Sequence, residues 1–295
     1  MFLLAHLSDP HLAPLPQPRW FELVGKRATG YLHWRRTRHR VHRAEVLARI
    51  VADLKAQAAD HIAVTGDLVN IALAAEFKAA ARFLATLGPP HDVTLVPGNH
   101  DAYVRAAREH PALHWGDYMR GDATRDGDAL VFPFLRRRGP VAIIALSSAV
   151  PTALFMATGR LGNAQLSRLG ELLDQCAGTF RVVMIHHPPR SKPERRFKRL
   201  TDGVDFCATL ARHGAELVIH GHDHERALTF IDGAQRRIPV VGVPSASEAP
   251  PGRHDPAGYN LYRIDGAPGA WRCEIVARGL AADGEHVIER ERTTI

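Results

Sequence analysis

Five short polar clusters hold the residue types that could do chemistry. They are Asp9 and His11 in "SDPH", Asp67 in "TGDLVN", Asn99, His100 and Asp101 in "PGNHD", His186 and His187 in "IHHPP", and His222 and His224 in "HGHDH". Imidazole, carboxylate and amide oxygen suit borderline or hard divalent ions such as Mn²⁺, Fe²⁺, Zn²⁺ or Co²⁺. No cysteine accompanies the clusters, so a Cys-rich structural zinc site is excluded. The candidate ligands are too many for one tetrahedral ion and suit two ions sharing a carboxylate. Such a pair acidifies a bridging water and clamps the attacking and leaving oxygens of a phosphoryl transfer. Asp-x-His and His-x-His on extended backbone would put both side chains on one face. Gly66, Gly98 or Gly221 would let the chain bend just before the ligand.

Something must bring these clusters together. Each directly follows a short apolar run with strand character: 2–8, 61–65, 92–96, 181–185 and 216–220. Between them, apolar residues at helical spacing predict helices over 43–58, 74–87, 164–176 and 204–213. A further strand is predicted at 141–147, after a Gly- and Asp-rich loop near 116–128. From residue 226 onward the pattern changes to hairpin-like strands in "ALTFID", "RIPVVGV", "YNLYRI" and "WRCEIVA". This order predicts an α/β core completed by antiparallel strands. Loops at the carboxyl ends of such strands line one crevice, where the clusters can meet. Arg136–Arg138 reads as plain surface.

Any one cluster alone is an ordinary turn; their joint order is not. Asp-x-His, Gly-Asp, Gly-Asn-His-Asp, His and Gly-His-x-His, in that order, resemble the signature of the calcineurin-like metallophosphoesterases. "VPGNHDAY" and "HHPP" are similar to the bacterial branch that holds class III cyclic-nucleotide phosphodiesterases and glycerophosphodiesterases. The resemblance covers roughly 1–12 and 44–250. It implies a four-layer α/β/β/α sandwich with two mixed β-sheets, as one domain over 1–295. It also implies two divalent metal ions: Asp9, His11 and His224 on the first, Asn99, His186 and His222 on the second, and Asp67 bridging. His100 would protonate the leaving oxygen, Asp101 would orient His100, and a hydroxide held by the metals would attack phosphorus. His187 would sit beside His186.

The formal charge of +7 is local. Arg19–Arg43 holds eight Lys/Arg against Glu22 and nets the whole of it, with Trp20, Phe21, Tyr31 and Trp34 interleaved. This basic-aromatic insert, at about 14–43, follows Asp9 and His11, a place from which it can cover the site. Gly25–Gly30 suggests a short helical hairpin with an aromatic pair at each end, choosing the substrate without entering the bond-breaking. A second basic run, "RSKPERRFKRL" (190–200), follows His186 and could draw in an anionic phosphoester. His187, Arg190, Lys192, Trp34 and Arg35 are the candidate substrate contacts. The substrate expected from the resemblance is a cyclic nucleotide or small phosphodiester. A cationic aromatic segment also suits an anionic membrane surface; a lipid-linked phosphate or pyrophosphate of the UDP-diacylglucosamine type, cleaved by a related branch, is the second candidate. A nuclease ranks lower, because charge outside the insert balances. A non-catalytic interaction protein on this fold would be expected to have lost ligands. Cys176, Cys207 and Cys273 fit a reducing cytoplasm. The apolar N-terminus lacks a basic n-region, so the expected location is cytoplasmic, where residues 19–43 could hold the chain against the inner membrane. The C-terminal strands could support a homo-oligomer.

Overall fold

The computed structural model describes residues 1–125, 127–234, 236–250 and 254–295. In chain order the elements are β1 (Phe2–Leu7), α1 (Lys26–His33), α2 (His39–Val41), α3 (Ala44–Ala56), β2 (His61–Val64), α4 (Ala74–Leu87), β3 (Val93–Leu95) and α5 (His110–Trp115). Then come β4 (Phe134–Arg138), β5 (Val141–Ala145), α6 (Asn163–Gln175), β6 (Phe180–Met184), α7 (Gly203–His213), β7 (Leu217–His220), β8 (Ala227–Asp232) and β9 (Arg237–Gly242). The chain closes with β10 (Gly258–Asp265), β11 (Arg272–Leu280) and β12 (Val287–Thr294). The strands form two mixed sheets of six, in the orders β12-β11-β10-β1-β2-β3 and β4-β5-β6-β7-β9-β8.

Period-2 alternation in the second sheet shows how the layers stack. Val141, Ile143, Ala145, Val182, Met184, Leu217 and Ile219 join the core shared with the first sheet. Their neighbours Ile144, Val183, Ile185 and Val218 pack instead with Leu169 and Leu173 of α6 and Phe206 and Leu210 of α7. On the far side, α3 and α4 cover the first sheet with Ile50, Leu54, Phe77 and Leu84. Asp53 of α3 is tied to that sheet by Tyr259 Oη and Arg278.

Strands β1, β2 and β3 run parallel, as do β5, β6, β7 and β9. A parallel bridge between Ser8 and Ser245 joins the two sets at their carboxyl ends. The late hairpins divide between sheets: β8–β9 closes the second, and β10–β12 extends the first. Two readings of the sequence need correction. Arg136 lies in β4 and is only 3% exposed; it donates to the carbonyls of Val93 (2.7 Å), Asp117 (2.8 Å) and Arg120 (2.7 Å). It ties the loop before β4 to β3 and is not mere surface. The insert, moreover, is no hairpin. A 3₁₀ turn, Trp20–Glu22, precedes Gly25, whose φ of 66° makes the bend, and Gly30 lies inside α1. Helix α1 continues through a π-type turn, Trp34–Arg38, into α2. The aromatic pairs do form: Trp20 meets Phe21 edge-on, and Tyr31 stacks on Trp34 at 6.3 Å.

Candidate metal centre

All five clusters lie just past the carboxyl ends of β1, β2, β3, β6 and β7. The backbone delivers them differently from simple strand alternation. Asp9 (φ 51°), His11 (35°), Asp67 (55°), His222 (70°) and His224 (56°) are all in the left-handed region. Non-glycine residues rarely sit there, at a cost of order 1–3 kcal/mol each. The pairs therefore converge through left-handed turns and not along an extended face. Gly98 and Gly221 are required for close approach and not for bending. A Cβ on Gly98 would lie 2.2 Å from Asp67 Oδ1, and one on Gly221 would lie 1.9 Å from Ser8 Oγ.

Two groups of ligand atoms result. In the first, His224 Nε2 lies 3.2 Å from Asp9 Oδ1 and 3.4 Å from His11 Nε2. In the second, His186 Nε2 lies 3.1 Å from Asn99 Oδ1, 3.2 Å from His222 Nδ1 and 3.4 Å from Asp67 Oδ2. Asp67 Oδ2 also lies 3.9 Å from His11 Nε2 and so touches both groups. An ion about 2.0–2.2 Å from N and O ligands holds neighbouring donors about 3–3.5 Å apart, which is the spacing seen here. The remaining imidazole nitrogens are anchored: His11 Nδ1 by Val69 O, His186 Nδ1 by Thr65 O, His224 Nδ1 by Glu248 and His222 Nε2 by Lys198 O. Such outer partners fix the tautomer and aim the ligating nitrogen. The donor set fits two divalent ions.

Charge inside the site is balanced among the ligands themselves. Burial alone would lower His186, but Asp67 opposes it and holds the imidazole up at about 10. Burial likewise works against His224, yet Asp9 and Glu248 hold it at about 9. Asp67 is held far below the usual carboxylate range; its burial is outweighed by His186 and His100. Near neutral pH these histidines thus carry protons that incoming cations must displace. The sign follows: these raised values stabilise the metal-free fold fully below about pH 6.5, and the contribution fades as pH rises toward 9–10.

His100 lies between the ligands and an adjoining cavity. Its ring meets His11 edge-on at 4.9 Å and stacks on Tyr103 at 5.3 Å. Its Nδ1 is anchored by Asn70 O, leaving Nε2 toward Arg38. Burial and the Arg38 charge push its pKa down to about 3. Asp101, expected to orient His100, is occupied elsewhere. Its oxygens accept from the amides of Asp67 (2.8 Å), Leu68 (2.9 Å), Val69 (3.2 Å) and Gly98 (2.8 Å). Burial and the Asp67 charge raise its pKa to about 7, against the pull of the Gly98 and Val69 amides.

The candidate substrate contacts divide. Trp34 lines the cavity. His187 is fully buried behind the ligands; both nitrogens are engaged, with Ser148 Oγ and Ala157 O, so it buttresses His222 rather than facing a substrate. Arg190 lines a separate depression beside Cys207, Lys192 pairs with Glu225, and Arg35 is exposed outside the cavity. Of the 190–200 run, Arg195 pairs with Asp223 and Glu225, while Lys198 reaches the cavity. The largest residue missed from sequence is Arg38. It donates to His11 Nε2 (2.9 Å) and His100 Nε2 (3.2 Å), so the insert enters the site instead of merely covering it. His42, packed at 4.6 Å against His11 and bonded to Ser247, was missed too, as was Glu248. The polar run "PSASE" after β9 was the signal for Glu248.

Two mixed sheets face to face, with this donor set at their carboxyl ends, define a metal-dependent hydrolase. The model of the calcineurin-like phosphoesterases matches residues 2–226, and the chain belongs to that family, whose members hydrolyse phosphoesters at a dinuclear divalent centre. Among solved structures, purple acid phosphatase PPD1 from yellow lupin seeds superposes with a TM-score of 0.57 at 11% identity, over 99% of this chain and 53% of that one. A 5′-nucleotidase precursor from Thermus thermophilus gives 0.50 at 15%, over 99% and 53%. The sulfate thiohydrolase SoxB of the same organism gives 0.51 at 15%, over 97% and 58%. This chain spans a little over half the length of these three, and the likeness is one of fold. A comparison with curated protein sequences finds no match. No helix among the described residues is long and apolar enough to cross a membrane.

Proposed function

We propose that the chain is a two-metal phosphodiesterase acting on a small phosphodiester, of the kind handled by the class III cyclic-nucleotide and glycerophosphodiesterase branch. One observation carries this reading: two donor groups share the Asp67 carboxylate, and His100 stands beside them at the mouth of a cavity. Bound there, a pair of divalent ions supplies an acidified water and charge neutralisation at phosphorus. The chain's own residues do the rest. His100, anchored by Asn70, presents Nε2 to the leaving side, and Arg38 offers two N–H donors to the charge that develops on phosphoryl oxygens. Chelator-stripped protein should be inert toward bis(p-nitrophenyl) phosphate and should recover turnover with Mn²⁺. Full turnover in the presence of chelator would refute the reading.

A second reading concerns where the substrate resides. Trp20 is 85% and Phe155 86% exposed, and Phe21, Val24, Leu154 and Phe197 are also exposed. They lie on three segments joined around the cavity: Lys26 Nζ donates to Thr152 and Met156, and Ala157 N donates to Phe197 O. Arg19 lies by Phe21 and Arg196 by Phe197. Aromatic side chains flanked by cations suit the interface of an anionic bilayer, as on a cytoplasmic leaflet. This would present the site to a lipid-linked phosphate. The protein should co-sediment with phosphatidylserine-containing vesicles, and a Trp20→Ala/Phe155→Ala double variant should bind at least tenfold more weakly. No sedimentation at physiological salt would discard this reading.

A further inference from the structure

The cavity beside the metal ligands holds about 330 Å³ between the insert and residues 155–157. Lys26, Arg38 and Lys198 reach its wall, and among the described residues lining it there is no Asp or Glu. Among the described residues, Arg38 donates to the imidazoles of His11 and His100. Lys26 Nζ donates to Thr152 Oγ1 (2.7 Å), Met156 O (3.0 Å) and Thr152 O (3.4 Å), all neutral, and lies 4.6 Å from the Tyr103 ring centre. Half-buried cations with neutral partners bear a desolvation cost that an anion would offset. Asp9 and Asp67 act on these cations from the ligand side, and two divalent ions held there would outweigh that charge.

Position indicates which anion. Ring contacts run from His11 to His100 and on to Tyr103, with Lys26 over the far ring. A phosphoester held at the ligands, with His100 on its leaving side, must extend its leaving group along this wall. The wall is also fixed in place. Arg27 donates to Ile71 O at 3.2 Å, and a Cβ on Gly30 would lie 2.5 Å from Tyr103 Oη, so α1 is clamped against its neighbours.

We propose that Lys26 and Arg38 form an anion subsite for the leaving group, and that the substrate carries a second phosphoryl group joined to the scissile one: a diphosphate diester. This rests on the two-metal phosphodiesterase reading and replaces the one-phosphate diester named there with a two-phosphate one. Hydrolysis joins the water oxygen to one phosphorus and breaks that phosphorus's bond to the bridging oxygen, which departs on the second phosphoryl group. Two phosphomonoesters result, and near neutral pH the two water protons pass to solvent. The departing oxygen leaves as an anion, so the demand on this wall is for positive charge. Burial pulls Lys26 down to about 8, with Asp67 opposing, which leaves it largely protonated at neutral pH.

The test compares a two-phosphate probe, ADP-ribose, with a one-phosphate probe, thymidine 5′-(p-nitrophenyl) phosphate, on Mn²⁺-loaded protein. Lys26→Met should lower kcat/KM for ADP-ribose at least tenfold more than for the one-phosphate probe, and Lys26→Arg should restore most of the difference. A fold defect would depress both probes alike, and equal losses overturn the proposal. Calorimetry with the α,β-methylene analogue of ADP-ribose on metal-free protein separates the two readings. If neither probe, or only the one-phosphate probe, is turned over, the analogue should still bind wild type at least fivefold tighter than Lys26→Met; equal affinities overturn the subsite. Loss of all turnover with that binding difference intact overturns the phosphodiesterase reading alone.

Discussion

Replacing Asp67 with asparagine should lower kcat/KM for bis(p-nitrophenyl) phosphate by at least ~10³-fold, a loss of about 4 kcal/mol of transition-state stabilisation. The geometry singles out this carboxylate. Its Oδ2 lies 3.4 Å from His186 Nε2 and 3.9 Å from His11 Nε2, and Oδ1 accepts the His100 amide at 2.7 Å. Two dications about 3.5–4 Å apart repel each other by on the order of 20 kcal/mol even at an effective dielectric of 20. A shared anion must offset most of that. Asparagine keeps one acceptor oxygen and tolerates the left-handed backbone that Asp67 adopts at φ 55°, so the substitution removes charge with little change of shape. His186 would lose the partner that holds it at about 10 and become neutral, which spares the metal-free fold a stranded cation. Elemental analysis after equilibration with Mn²⁺ should fall from two ions per chain to one or none. Two ions per chain, with activity within tenfold of wild type, would show that Asp67 does not bridge.

The clusters were legible because their residue types are costly to bury for any other purpose, and because each follows a strand that reads plainly from its apolar run. The α/β core with its late antiparallel strands followed from the same runs, and its division into two sheets from the family resemblance. What stayed hidden has physical causes. Arg38 sits among Arg35, Arg36 and Arg40, and nothing in an arginine's identity tells which one the π-type turn will aim inward. Arg136 resembled surface for the same reason: its partners are carbonyls, which leave no mark in the sequence. Strand β12 reads "VIERERTT", mostly exposed and charged, as suits an edge that must not pair further. The left-handed backbone at five ligands leaves only a weak signature, because Asp and His enter that region more readily than most residues but mostly lie outside it. The motif neighbour His100 suggested a shared task for Asp101, whereas the Asp101 carboxylate turns back to accept the amides of the loop.

That last point has a measurable consequence. Asp101→Ala should destabilise metal-free protein by about 3–5 kcal/mol, since buried amides left without partners cost about 1–3 kcal/mol each and water can reach some of the vacated space. In a chain of this size that lowers Tm by roughly 10 °C. Four amides from two segments, 67–69 and Gly98, converge on this one fully buried carboxylate, which binds the loop after β2 to the loop after β3. Those two loops carry Asp67 and Asn99, so the metal ligands should loosen with them and activity should fall as well. Asp101→Asn should rescue little: its amide keeps one acceptor oxygen and turns an NH₂ group toward other N–H donors. Thermal unfolding in chelator decides between two roles. If Asp101 served only to orient His100, the alanine variant would keep the wild-type Tm and lose activity alone. A large fall in Tm, alike for both variants, assigns Asp101 to holding the frame in which the ligands meet.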